Sequence, residues 1–241
     1  MALFLYGMKT MSESLQKLAG NKLRNILSAM TKNRATGVLT GLLVTALIQS
    51  STATTVMVVS FVNAGLLSLA QSISVIMGAN IGTTLTAWII AFFGFGKLSI
   101  STLSIPLMGL ALPLIFSSKN NNKSIGEFIF GFAFLFMGLD FLQHSMPDLQ
   151  NNPGVLAFLQ NFTGRGIASV LFFLLVGTIL TVIVQSSAAT IALTLIMAAK
   201  GWIDFPSAAA MVMGENLGTT LTANLAAIPA NISAKRAAFA H

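Results

Sequence analysis

QSSTATT at Gln49–Thr55, followed by GANIGTTLTA at Gly78–Ala87, returns 136 residues later as QSSAATI at Gln185–Ile191 and GENLGTTLTA at Gly214–Ala223. Nothing is inserted between the two motifs in either copy, so the stretch from Gln49 to Ala87 is one unit written twice. Both copies are dense in Ser, Thr, Asn, Gln and Gly, and both lie inside apolar sequence. A polar group left unpaired in apolar surroundings costs roughly 2 to 7 kcal/mol. A duplicated set of such groups therefore points to a ligand. A polar site where two repeats meet inside a membrane is the pattern of a secondary transporter.

The rest of the composition agrees. Of 241 residues, 55% are hydrophobic and only 8% are charged, against about 25% charged in soluble domains. An all-α integral membrane protein follows, multi-pass and partnered first by the lipid bilayer, in a cell inner membrane or plasma membrane. The chain has no cysteine, which excludes disulfides and thiolate metal sites. A net charge of +7 raises the question of nucleic acid. The basic residues instead fall where membrane topology would put them, so nucleic acid is not an expected partner.

Spanning strands would show alternating hydrophobicity, which is absent, so the segments are read as helices. Ala2 to about Leu18 is a short first helix, and Asn21–Arg34 is an amphipathic interfacial one. Ala35–Ile48 and Thr52–Ala64 are too short to cross about 30 Å at 1.5 Å per residue. Joined by the QSS turn, they predict a re-entrant helical hairpin. Repeat 1 then occupies residues 1–117, with its hairpin at 35–64, a broken transmembrane helix at 66–96 and an extra helix at 100–116. Residues 118–124 form a linker loop. Repeat 2 occupies 125–241, with a hairpin at 167–199 and a broken helix at 206–229. Ile100–Phe116 has no counterpart, because its equivalent would begin near residue 236 and the sequence stops at His241. A final helix is thus expected to be missing.

Lys and Arg collect on the cytoplasmic side of membrane proteins. With the first hairpin entering from the cytoplasm, that side receives Lys9, Lys17, Lys22, Arg24, Lys32, Arg34, Lys119, Lys123, Lys235 and Arg236 of the 13 basic residues. Lys97, Arg165 and Lys200 fall on the other side. Corresponding segments of the two halves then face opposite ways, which makes them inverted-topology repeats.

Each QSS turn starts a helix, and a helix N-terminus offers free N–H groups and about half a positive charge. That is an anion site needing no buried cation. Ser50, Ser51 and Thr52 supply one tip and Ser186, Ser187 and Ala188 the other, with Gln49 and Gln185 adding amide donors. The competing reading, that these residues only cap and pack helices, is weakened by their recurrence at a fixed offset. In the second motif, Gly78, Asn80 and Gly82 are expected to break a helix, as are Gly214, Asn216 and Gly218. Unwound carbonyls with the oxygens of Asn80, Thr83 and Thr84, and of Asn216, Thr219 and Thr220, suit sodium. The alternative is a glycine kink whose threonines bond back to their own helix. One position departs from the repeat: Ala79 becomes Glu215, an acid at membrane depth, where ionisable groups are functional by default.

These paired motifs, with the closing AKRAAFAH at Ala234–His241, resemble the type II sodium/phosphate cotransporter family, including its bacterial members. The resemblance covers nearly the whole chain. It implies sodium-driven phosphate transport by alternating access, with inorganic phosphate and sodium as partners and sodium as coupling ion rather than cofactor. It implies phosphate binding at Gln49, Ser50, Ser51, Gln185, Ser186 and Ser187, to which the reading of the hairpin tip adds Thr52. For sodium it implies the neighbouring Thr and Asn residues Asn80, Thr83, Thr84, Asn216, Thr219 and Thr220, together with Thr54 and Thr190, to which the reading of the residues adds Glu215. A homo-oligomer is compatible with it. Two alternatives compete with this reading: a carrier for another oxyanion, and an intramembrane serine hydrolase. The hydrolase would need a general base beside the serine, and the duplicated serines have no duplicated base, so no enzyme is expected.

Overall fold

The structure, a computed structural model, describes residues 1–29, 33–95, 100–145 and 162–241, with only the backbone given for 20–29 and 100. The amphipathic side-chain pattern expected over Asn21–Arg34, and most of the loop after Ser145, lie outside these residues. The described residues are helical, with no strand among them. The helices are α1 (Ala2–Ala29), α2 (Arg34–Ile48), α3 (Ser51–Asn63), α4 (Leu69–Gly94), α5 (Ser104–Ile115) and α6 (Asn120–Ser145). They continue as α7 (Ile167–Val184), α8 (Ser187–Ala199), α9 (Phe205–Ala226) and α10 (Ile232–Phe239). Three of them, α4, α6 and α7, are long and apolar enough to cross a membrane.

The helix starts follow from their caps. Asn33 accepts from the Thr36 amide at 2.8 Å while Thr36 accepts in return from the Asn33 amide at 3.2 Å. Ser68 and Gln71 form the same reciprocal box at the start of α4. Each box satisfies two amides that helix geometry leaves without carbonyls.

The described chain forms two compact units, Met1–Asp140 with Ala223–His241, and Phe141–Thr222. In the first, Val44, Ile48, Val58, Val59, Val62, Val75 and Ile76 build a core against which Ala234, Ala237 and Ala238 of α10 pack. Asn231, the N-cap of α10, ties that helix to the end of α3: its amide donates to Asn63 Oδ1 at 2.8 Å and its Nδ2 to the Asn63 carbonyl at 3.0 Å. In the second unit the core is Phe173, Ile203, Ala210 and Met211.

Large apolar side chains also face outward in matching stripes. Leu39, Leu43 and Leu47 on α2 are matched 136 residues on by Leu175, Ile179 and Ile183 on α7. Met77, Ile81 and Leu85 on α4 are matched by Met213, Leu217 and Leu221 on α9. Contiguous apolar faces of this extent are not tolerated in water and suit hydrocarbon, so the protein is an integral membrane protein.

Several expected boundaries change. The first helix runs without a break into the segment after it, as one 28-residue helix from Ala2 to Ala29, because Gly20 costs only about 1 kcal/mol inside a helix. The SSKNNNKS run at Ser117–Ser124 is not a loop throughout; α6 begins at Asn120, and asparagines are good helix starters. Ile100–Phe116 is a 3-10 turn, Ile100–Leu103, followed by the 12-residue α5. That helix is too short to cross, with Pro106 in its first turn and Pro113 in its last.

The largest correction concerns the broken helices. α4 runs unbroken through Gly78, Asn80 and Gly82, and α9 through Gly214, Asn216 and Gly218. The glycines serve close packing instead. A Cβ on Gly41 would strike the Val75 carbonyl, and one on Gly78 would strike the Val38 carbonyl, so α2 and α4 touch backbone to backbone. The second unit repeats this: Gly177 lies against the Met211 carbonyl and Gly214 against the Leu174 carbonyl. Small residues at such contacts are what drive helix association in lipid.

Lys17 on α1 pairs with Glu127 on α6 at 2.7 Å, with side chains 56% and 20% exposed. Exposed pairs contribute about 0 to 1 kcal/mol. Lys17→Met should therefore shift the unfolding temperature of the detergent-solubilised protein very little, and a drop as large as that of a buried-core substitution would show the pair to be shielded.

Candidate functional site

The two QSS turns are local copies of each other. Gln49 closes α2 in the left-handed region (φ 56, ψ 27), and Gln185 closes α7 in the same way (φ 55, ψ 28). Left-handed backbone costs a residue with a Cβ roughly 1 to 2 kcal/mol, so something must hold it. In the first unit the Gln49 side chain does so. Its Nε2 donates to the Ala46 carbonyl, and its Oε1 accepts from Thr86 Oγ1 at 2.9 Å. The second bond joins the QSS motif to the GTTLT motif of α4. Ser12 on α1 adds a bond from its hydroxyl to the Ile48 carbonyl at 2.6 Å, satisfying a helix-end acceptor.

After each glutamine the chain turns at an extended serine. Ser50 (φ −149, ψ 105) caps α3, and Ser186 (φ −148, ψ 105) caps α8. Their hydroxyls accept from the amides of Ala53 at 3.2 Å and Ala189 at 3.3 Å. Their carbonyls accept from the hydroxyls of Thr54 at 3.0 Å and Thr190 at 3.2 Å. Helix geometry leaves the amides of Ser51 and Thr52, and of Ser187 and Ala188, without intrahelical carbonyls. Ser51 and Ser187 are buried, Thr52 and Ser186 are half-buried, and Gln185 is exposed. Each tip thus presents free amides and a hydroxyl on a helix N-terminus, with no cationic side chain in the motif. Such a tip can accept an anion.

The residues expected to hold sodium have a different setting from the one foreseen. Thr83 and Thr84 donate back to Ala79 and Ile81 at 3.3 and 2.7 Å, and Thr219 and Thr220 to Glu215 and Leu217 at 2.9 and 2.7 Å. These back-bonds are the ones the alternative reading expected, but they lie in continuous helices without its glycine kink, and the unwound carbonyls are absent. Asn80 is half-buried and lies 2.7 Å from His241 Nε2, a partner that sequence did not suggest. Asn216 is exposed. Thr54 is buried and accepts from Thr45 Oγ1 at 3.0 Å; Thr190 is also buried.

Glu215 is buried, and Thr194 Oγ1 lies 2.8 Å from its Oε1. Thr194 was missed, yet a signal existed. Positions 58 and 79 of the first copy are Val and Ala, whereas 194 and 215 are Thr and Glu. These two polar departures from the repeat touch each other.

Comparison with known proteins then fixes the class. The family described as Na+/Pi-cotransporter matches residues 3–144 and 152–240. The chain belongs to that family. It is 31% identical over 239 residues to an Escherichia coli K12 protein named "Putative inorganic phosphate export protein YjbB", covering 98% of this chain and 42% of that one. A Bacillus subtilis protein named "Uncharacterized protein YqeW" is 30% identical over 241 residues, covering 99% of this chain and 74% of its own. Sheep "Sodium-dependent phosphate transport protein 2A" is 40% identical over 97 residues, covering 39% and 15%. The chain thus spans less than half the length of the bacterial export protein. No solved structure matches.

Proposed function

We propose that this chain forms the membrane-embedded part of a sodium-coupled inorganic phosphate transporter of a cell inner membrane or plasma membrane. The observation that carries the proposal is the duplicated serine-capped helix start, with neutral donors at Ser50, Ser51 and Thr52 and at Ser186 and Ser187. Gln49 and Gln185 shape the two turns. Membership of the Na+/Pi-cotransporter family supports phosphate as the anion and sodium as the driver.

In this proposal the QSS hairpins are re-entrant, the two repeats are inverted, and phosphate is reached alternately from either side. α7, which is long enough to cross, is then tilted or shielded by its neighbours. Sodium is held by oxygens of Thr54, Asn80, Thr83 and Thr84 in one repeat. Thr190, Glu215, Asn216, Thr219 and Thr220 hold it in the other. Net direction follows the imposed gradients, so uptake and export are the same cycle run in opposite senses.

Purified protein in liposomes tests this. An inward sodium gradient should drive accumulation of radiolabelled phosphate, and a potassium gradient should not. Arsenate, which matches phosphate in shape and charge, should compete, and sulfate should compete far less. Accumulation indifferent to sodium, or equal competition by sulfate, defeats the proposal.

A further inference from the structure

The second unit holds a buried carboxyl group whose bonding is unfinished. Glu215 is 1% exposed, and its Oε2 is buried without a hydrogen-bond partner. Its other oxygen depends on Thr194 Oγ1, which also lies 3.0 Å from the Thr190 carbonyl. A hydroxyl has one proton to donate, so Thr194 serves one acceptor at a time.

A second orphan belongs to the facing helix: Thr181 Oγ1 is also buried and unpartnered. Its equivalent in the first unit, Thr45, donates to Thr54 at 3.0 Å. Thr181 faces the turn of α9 that follows Glu215, its Cβ 2.7 Å from where a Cβ on Gly218 would stand. One turn earlier, Thr178 donates to the Gly214 carbonyl at 3.0 Å. Glu215 therefore lies in a stretch of α9 clamped to α7 at Gly214 and Gly218, with Thr194 of α8 as its partner.

We propose that the monovalent-cation site of the second unit is built on a carboxylate pocket that has no counterpart in the first unit. Glu215 Oε2 and Thr181 Oγ1 are ligands in it beside the oxygens assigned above, and Thr194 orients the carboxylate. Three arguments set its chemistry. The donors are hard oxygens, which suit alkali or alkaline-earth ions rather than softer metals. α7, α8 and α9 carry no other charged side chain, so one carboxylate compensates one positive charge and a divalent ion would leave an excess. No group of three or more His, Cys, Asp or Glu able to hold a metal occurs among the described residues. The first unit lacks this pocket because Ala79 and Val58 replace the acid and its partner, and Thr45 is already engaged.

This inference refines the cation half of the proposed function and rests on that reading for its physiological ion, but its test needs no phosphate. Equilibrium binding of radiolabelled sodium to the purified full chain is measured in phosphate-free nanodiscs. Glu215→Gln should weaken sodium binding at least about tenfold, the scale of losing an interaction with a charged group. Thr181→Val should weaken it too. The paired variant Glu215→Ala with Thr194→Val copies the Ala79 and Val58 pair already packed in the first unit. It should keep the wild-type unfolding temperature while losing this site.

Wild-type sodium affinity in Glu215→Gln and in the paired variant overturns the inference. So does a site that prefers calcium to sodium. Sodium binding that fails in wild-type protein while sodium still drives phosphate flux also overturns it and leaves the transport reading standing. The reverse, intact Glu215-dependent binding without phosphate flux, upholds the site and fells that reading.

Discussion

Gly78→Val should be severely damaging to the first unit, and Gly214→Val equally so to the second. At each position a Cβ would collide with a backbone carbonyl of the neighbouring helix, that of Val38 or of Leu174. A clashing side-chain tip can rotate away. A helix carbonyl cannot, so the two helices must separate along their shared length. Overpacking costs about 1 to 3 kcal/mol where side chains yield, and more where they do not. Both variants should lose monodispersity in detergent and show a large fall in unfolding temperature. Gly109→Val, where nothing lies within 4 Å of an added Cβ, should be benign. Equal tolerance at 78, 109 and 214 would show that the glycines are not packing residues.

Ser51→Ala and Ser187→Ala should each weaken phosphate binding roughly tenfold to over a hundredfold, since a hydrogen bond to a charged group is worth about 1.5 to 3 kcal/mol. These serines are the better probes of the tip because Ser50 and Ser186 also cap their helices. Replacing a cap costs about 1 kcal/mol of stability in its own right, which would confuse the reading. Phosphate protection against thermal unfolding provides the measurement. The stability of the ligand-free variants should stay near wild type, while the shift produced by phosphate shrinks. If both variants keep the full shift, the hydroxyls at the helix starts do not contact the anion.

The repeat was legible in the sequence, and in the structure it extends to backbone angles. The same Gln-Ser-Ser run folds twice into turns whose dihedral angles differ by about one degree, because a left-handed glutamine and a capping serine are local decisions. The supposed helix breaks were not legible, because they are not local. Gly-Ala-Asn-Ile-Gly permits either an unwound segment or a close approach. What decides is a carbonyl on a helix some 40 residues earlier in the chain. The continuity of α1 and the early start of α6 were missed for a related reason: one glycine or a polar run weakens a helix by less than its packing returns. The pairing of Glu215 with Thr194 could have been found by asking which positions break the repeat together, rather than noting the acid alone. The bond between Asn80 and His241 had no such signal.

Backbone contact between α2 and α4, and between α7 and α9, has a mechanical consequence. Packed helices slide past one another by small adjustments of interleaved side chains, the shear mode of domain motion. Where glycine brings main chain onto main chain there is no such layer to adjust, and each pair behaves as a stiff strut. Movement must be taken up at joints, and each strut has one at its end: a glutamine in a conformation that its own Cβ disfavours, followed at once by a new helix. In the first unit that joint is bolted by the Gln49 to Thr86 bond, whereas Gln185 is open to its surroundings. The two copies of the repeat are therefore not equally free to bend, and a cycle built on them would have a preferred hinge.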